Sequence, residues 1–190
     1  MKKFVLGVMI SAGLLGATTV VANADTTGSS TGDVTFTGGT LSMSVDATHL
    51  AFGSNTISSS DATLATSSTP TVTVSDLRGT SAGWTLTVAQ GQQFNTALNG
   101  TGSALINAAL TVAGTESDSA VTNGSTTLTP GTTSAAGAAG TVASAKNGTG
   151  NGASTVTFSD SKLAVPGKTT KLATGYTTTL TWNLNDTPGN

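Results

Sequence analysis

A period of two runs through this chain and limits what it can fold into. In residues 176–184, Tyr-Thr-Thr-Thr-Leu-Thr-Trp-Asn-Leu, the apolar side chains Leu180, Trp182 and Leu184 alternate with Thr179, Thr181 and Asn183. Successive strand residues point to opposite faces, so this run has one apolar and one polar face. Val34 and Phe36 alternate with Thr, and Leu41, Met43 and Val45 with Ser. The pattern returns at Val72 and Val74, at Trp84, Leu86 and Val88, at Leu110 and Val112, and at Val156 and Phe158. Helical periodicity is nearly absent. Strands with one apolar face bury it by packing sheet on sheet. The expected fold is therefore all-β: a two-sheet antiparallel sandwich with long polar Gly/Ser/Thr/Asn-rich loops.

Turn signals separate these runs: Gly38-Gly39, Asn99-Gly100, Asn123-Gly124, Asn147-Gly148, Asn151-Gly152 and Pro166-Gly167. Three of these Asn residues also begin Asn-x-Ser/Thr triplets, read here as turns. One short helix is expected around residues 94–109, where Phe94, Leu98, Leu105 and Ile106 are loosely spaced. Residues 104–112 read equally well as strand. Residues 114–154 carry only Val121, Leu128 and Val142 besides Ala, which predicts long loops or weak edge strands.

The start of the chain carries a different signal. Met1-Lys2-Lys3 is followed by an apolar run from Phe4 to Leu15 and then by Ala22-Asn23-Ala24. A positive start, a short apolar stretch and a small-x-small site make up a secretory signal peptide. The apolar part is shorter than the roughly 20 residues a membrane span needs. The organisation predicted is a signal peptide over residues 1–24, a flexible mature N-terminus over 25–32 and one domain over 33–190. An extracellular location follows.

Composition narrows the function. After cleavage, five basic residues would face nine acidic ones, without the basic stripe of a nucleic-acid binder. Charged residues make up 8% of the chain, against about 25% in ordinary globular proteins, so hydroxyls and amides solvate the surface. There is no Cys, hence no disulfide and no lipid anchor on a Cys. His49 is the one His, and no Cys/His cluster offers zinc ligands. Acidic residues are scattered and no nucleophile elbow is visible. The expectation is a binding protein rather than an enzyme, with no catalytic residue, metal or cofactor assigned.

Both Trp residues occupy the same short motif. Trp84-Thr85-Leu86 follows Asp76-Leu77-Arg78-Gly79, and Trp182-Asn183-Leu184 follows Gly175-Tyr176, 98 residues further on and close to the last residue. Two Trp-x-Leu elements so placed, behind a signal peptide, resemble the WxL domain of surface proteins from lactic acid bacteria, enterococci and other Gram-positive relatives. The resemblance covers residues 34–188. It implies non-covalent attachment to the cell wall, with peptidoglycan as ligand, alongside other WxL proteins and a membrane-anchored companion. Adhesion to a host matrix protein, or service as a structural subunit of a surface complex, is the alternative it leaves open. The sequence shows no Leu-Pro-x-Thr-Gly motif and no apolar tail, so non-covalent retention is expected.

Two readings stand for each candidate residue. Trp84, Leu86, Tyr176, Trp182 and Leu184 carry the family motif; the alternation puts them on apolar faces and favours a core role over sugar stacking. The two Trp-x-Leu strands are expected to lie close together. Asp76 and Arg78 form either a turn brace or a fork for a ligand carboxylate, with the brace favoured. Lys162, Lys168 and Lys171 hold most of the mature positive charge and are candidate wall contacts; solvated surface is the plainer reading.

Overall fold

The computed structural model describes residues 27–46, 49–116 and 118–189. The expected signal peptide lies outside them. By contacts the chain divides into two units, Met1–Thr35 and Phe36–Asn190. The described part of the first, residues 27–35, forms no strand and is exposed.

The second unit is all-β, with no helix among the described residues. Its strands are β1 (Leu41–Val45), β2 (Ala62–Ala65), β3 (Thr71–Asp76), β4 (Trp84–Gln90), β5 (Ala109–Ala113) and β6 (Val121–Asn123). They continue with β7 (Ser125–Leu128), β8 (Gly140–Ala145), β9 (Gly152–Thr157), β10 (Lys162–Val165) and β11 (Leu180–Asn185). Every ladder is antiparallel. The arrangement is sandwich-like, with the strands divided over three sheets: β1-β3-β9, β2-β10-β5-β7 and β11-β4-β8-β6.

On β3, β4, β5 and β9 the alternation read from the sequence is the alternation of burial. Val72 and Val74 on β3, Leu86 and Val88 on β4, Leu110 and Val112 on β5, and Val156 on β9 all face one core. Intervening Thr residues face outward, where Thr73 meets Thr155 and Thr111 meets Thr127 through hydroxyl pairs at 3.2 and 2.8 Å. Such cross-strand pairs give a charge-poor surface its local order.

Three expectations are corrected. The Val34/Phe36 alternation forms no strand, and both side chains are exposed with no neighbouring strand among the described residues to bury them. No helix forms over residues 94–109. The Asn99-Gly100 turn, with Gly100 at φ 77°, interrupts the apolar spacing, and the stretch folds back so that Leu105 donates its N–H to Phe94 O. Residues 114–154 are more than loops and edges. They supply β6, β7 and β8, and β8 lies inside its sheet between β4 and β6. Val142, Ala143 and Ala145 are fully buried there. Ala can fill an inner strand when its neighbour is as large as Trp84, and Ala145 is the Cα partner of Trp84.

Candidate functional site

The two Trp-x-Leu elements lie on adjacent strands. In the β4–β11 ladder Leu86 is opposite Leu184 and Val88 is opposite Trp182. The two Trp residues nevertheless have different environments. Trp84 has no exposed surface, and its indole N–H donates to Gly150 O at 3.0 Å. That bond satisfies the one polar atom of the ring. β4 lies inside its sheet between β11 and β8, and its apolar residues are buried in the core. β11 is an edge strand, and Leu180, Trp182 and Leu184 are only half-buried. Trp182 rests against buried Phe158, ring centroids 4.7 Å apart at 48°.

The remaining surface of Trp182 opens into a groove of about 1350 Å³. Phe52, Tyr176, Leu180 and Trp182 line it together with core residues Phe94 and Phe158. Asn55, Ser58, Thr174 and Thr178 supply polar groups. Phe52 meets Phe94 edge to face, centroids 6.2 Å apart. The Tyr176 hydroxyl accepts the Leu172 N–H at 2.7 Å, which fixes the ring at the groove. Aromatic faces beside amide and hydroxyl groups can stack on a sugar ring and hydrogen-bond its hydroxyls.

Lys171 shapes the rim of this groove. Its ammonium donates to Pro166 O, Gly167 O, Thr169 O and Ser58 O at 3.0–3.2 Å. An ammonium has three donors, so four carbonyls saturate it. Gly167 N–H also donates to Asp61 at 2.7 Å, tying the 166–171 loop to the 58–61 segment. Lys171 thus braces the loop, whereas Lys162 on β10 and Lys168 in the following turn are exposed.

Asp76 and Arg78 form a closed fork. Arg78 Nε donates to Asp76 Oδ1 at 2.9 Å and Nη2 to Oδ2 at 2.7 Å. Nη2 also donates to Gly83 O at 2.7 Å, and the Arg78 backbone N–H reaches Oδ1 at 3.2 Å. The side-chain hydrogen bonds from Arg78 hold the buried Asp76 carboxyl below its ordinary range, against the opposing effect of burial. The same hydrogen bonds raise Arg78 above its usual value. This brace spans the turn that delivers Gly83 and Trp84 to β4.

The groove residues Leu50, Phe52 and Asn55 are missing from the sequence reading. They lie in an irregular segment with no alternation to mark it; the apolar Leu50-Ala51-Phe52 followed by a Gly53-Ser54-Asn55 turn was the available signal. His49 is exposed at the groove margin. Among the described residues no group of three His, Cys, Asp or Glu is placed to hold a metal.

An all-β domain with a braced aromatic groove is a binding module in its architecture. The family model described as WxL domain, surface cell wall-binding, matches residues 17–188, and the chain belongs to that family. It is a cell wall-binding domain of the cell surface. No curated protein and no solved structure matches the chain.

Proposed function

We propose that the protein is exported through residues 1–24 and holds itself to the wall by binding peptidoglycan in the groove beside Trp182. The observation that supports this reading is the half-buried state of Trp182. A Trp held by Phe158 on one side and open to a groove on the other is preorganised for contact with a ring. Phe52 and Tyr176 extend the aromatic surface, and Asn55 and Thr178 provide hydrogen-bonding groups for glycan or stem peptide. Lys162 and Lys168 would add attraction to peptide carboxylates, with Lys171 acting through the loop it braces.

Sedimentation with purified peptidoglycan stripped of teichoic acid tests the proposal. The protein is expected in the pellet, and Trp182→Ala is expected in the supernatant with an unchanged circular dichroism spectrum. A folded Trp182→Ala protein that pellets as well as the parent would overturn the groove assignment. Failure of the parent to pellet would overturn peptidoglycan as ligand.

A further inference from the structure

A second, smaller groove is lined by residues of two edge strands, β1 and β11. It measures about 600 Å³ and is lined by Leu41, Ser42 and Met43 of β1 and by consecutive residues from Trp182 to Asp186 of β11 and beyond, with Arg78 at its border. A sheet face would present alternate residues. Consecutive lining residues on two edge strands fit a groove reached from the strand edges. Among the described residues β1 pairs only with β3, and β11 only with β4.

Both edges are also incompletely covered. Met43 and Val45 are the Cα partners of Val74 and Val72, and directly paired residues share a face. Val74 and Val72 are buried, yet Met43 and Val45 are 36% and 45% exposed. Likewise Leu184 is half-buried, although its partner Leu86 has no exposed surface. Each edge lacks the neighbouring strand that would cover its apolar side chains.

The chain itself carries a segment with the complementary deficiency. Residues 33–37, Asp-Val-Thr-Phe-Thr, have strand alternation and β-favouring residues but form no ladder. Val34 and Phe36 are 77% and 89% exposed. Five residues match the length of β1.

We propose that residues 33–37 of a second copy of this chain insert between β1 and β11 as a donated strand, placing Val34 and Phe36 on the apolar side. Main-chain hydrogen bonds to the open edges would supply affinity and the two side chains would supply register. The donor and acceptor surfaces differ, so the contact is heterologous and propagates from copy to copy unless it closes into a ring.

Sedimentation velocity at increasing concentration tests this, with Val34→Asp/Phe36→Asp as the variant. The parent is expected to assemble beyond a dimer. The variant is expected to stay monomeric, with an unchanged circular dichroism spectrum and unchanged pelleting with peptidoglycan, which separates this contact from the wall groove. Because the chain has no Cys, mixing Thr35→Cys and Asn183→Cys proteins gives a second readout. A mixed disulfide is expected, and it should vanish when the Thr35→Cys copy also carries the two Asp substitutions. A parent monomeric at every concentration with no mixed disulfide would overturn the proposal. So would assembly unaffected by the Asp substitutions, or a Thr35→Cys/Asn183→Cys double variant that cross-links only within one chain.

Discussion

Leu86 and Leu184, the closing residues of the two Trp-x-Leu elements, face each other as direct partners on β4 and β11. Antiparallel pairing through the leucines puts the two Trp residues at opposite ends of the contact. Trp84 enters the sealed interior beside Ala145, and Trp182 reaches the groove beside Phe158. One motif thus appears twice with two consequences, set by whether its strand is inside the sheet or at its edge.

Truncation should separate these consequences. Trp84→Ala removes a fully buried ring and leaves Gly150 O without its donor, a loss of about 3–5 kcal/mol. Trp182→Ala removes a half-buried ring, and its cost should be smaller, about 1–2 kcal/mol. Urea unfolding monitored by circular dichroism checks both values. Equal losses would show that Trp182 is as much a core residue as Trp84.

Gly150 offers an independent probe of the Trp84 site. Its φ is 77°, and an added Cβ would meet Ala145 Cβ and lie 2.8 Å from Trp84 Nε1. Gly150→Ala combines backbone strain with displacement of the indole, so a loss of about 2–4 kcal/mol is expected. The lowered melting temperature should come with a red-shifted Trp emission.

The Asp76–Arg78 brace predicts a pH dependence. Asp76 titrates below its ordinary value of 3.8 when folded. Its contribution to stability is therefore complete at neutral pH, begins to fall as pH approaches 3.8, and is lost as pH drops through the folded value. In Arg78→Gln the carboxylate stays buried without its cation, so burial raises its pKa and protonation relieves the penalty. The stability difference between parent and variant should be large at pH 7 and shrink toward pH 3. Urea midpoints at the two pH values check this.

The three Lys residues should divide into two behaviours. Lys162→Gln/Lys168→Gln should leave stability nearly unchanged and flatten the salt dependence of pelleting, because both side chains are exposed. Lys171→Met removes the donor to four carbonyls and should lower the melting temperature while changing the salt dependence little. Thermal melts and pelleting at two salt concentrations distinguish them.

Alternation of apolar residues with Thr or Ser made most strands legible: β1, β3, β4, β5 and β11 coincide with runs such as Leu41-Met43-Val45 and Leu180-Trp182-Leu184, whereas the same pattern at Val34 and Phe36 forms no strand. β8 was hidden because Gly140, Ala143 and Ala145 carry little hydrophobic signal, and their burial depends on the size of Trp84 across the ladder. Phe52 and Asn55 were hidden because irregular backbone has no period. The edge position of β11 was not legible either. Alternation reports which way a side chain points, and strand order decides whether anything lies over it.

The half-buried ring of Trp182 is the central contact, and fluorescence reads it most directly. Trp84 is sealed, so a change in Trp emission on adding soluble peptidoglycan fragments must come mainly from Trp182. A saturating blue shift that is absent in Trp182→Phe is the predicted result. Unchanged emission while the protein still pellets with peptidoglycan would contradict the account and place the wall contact elsewhere on the domain.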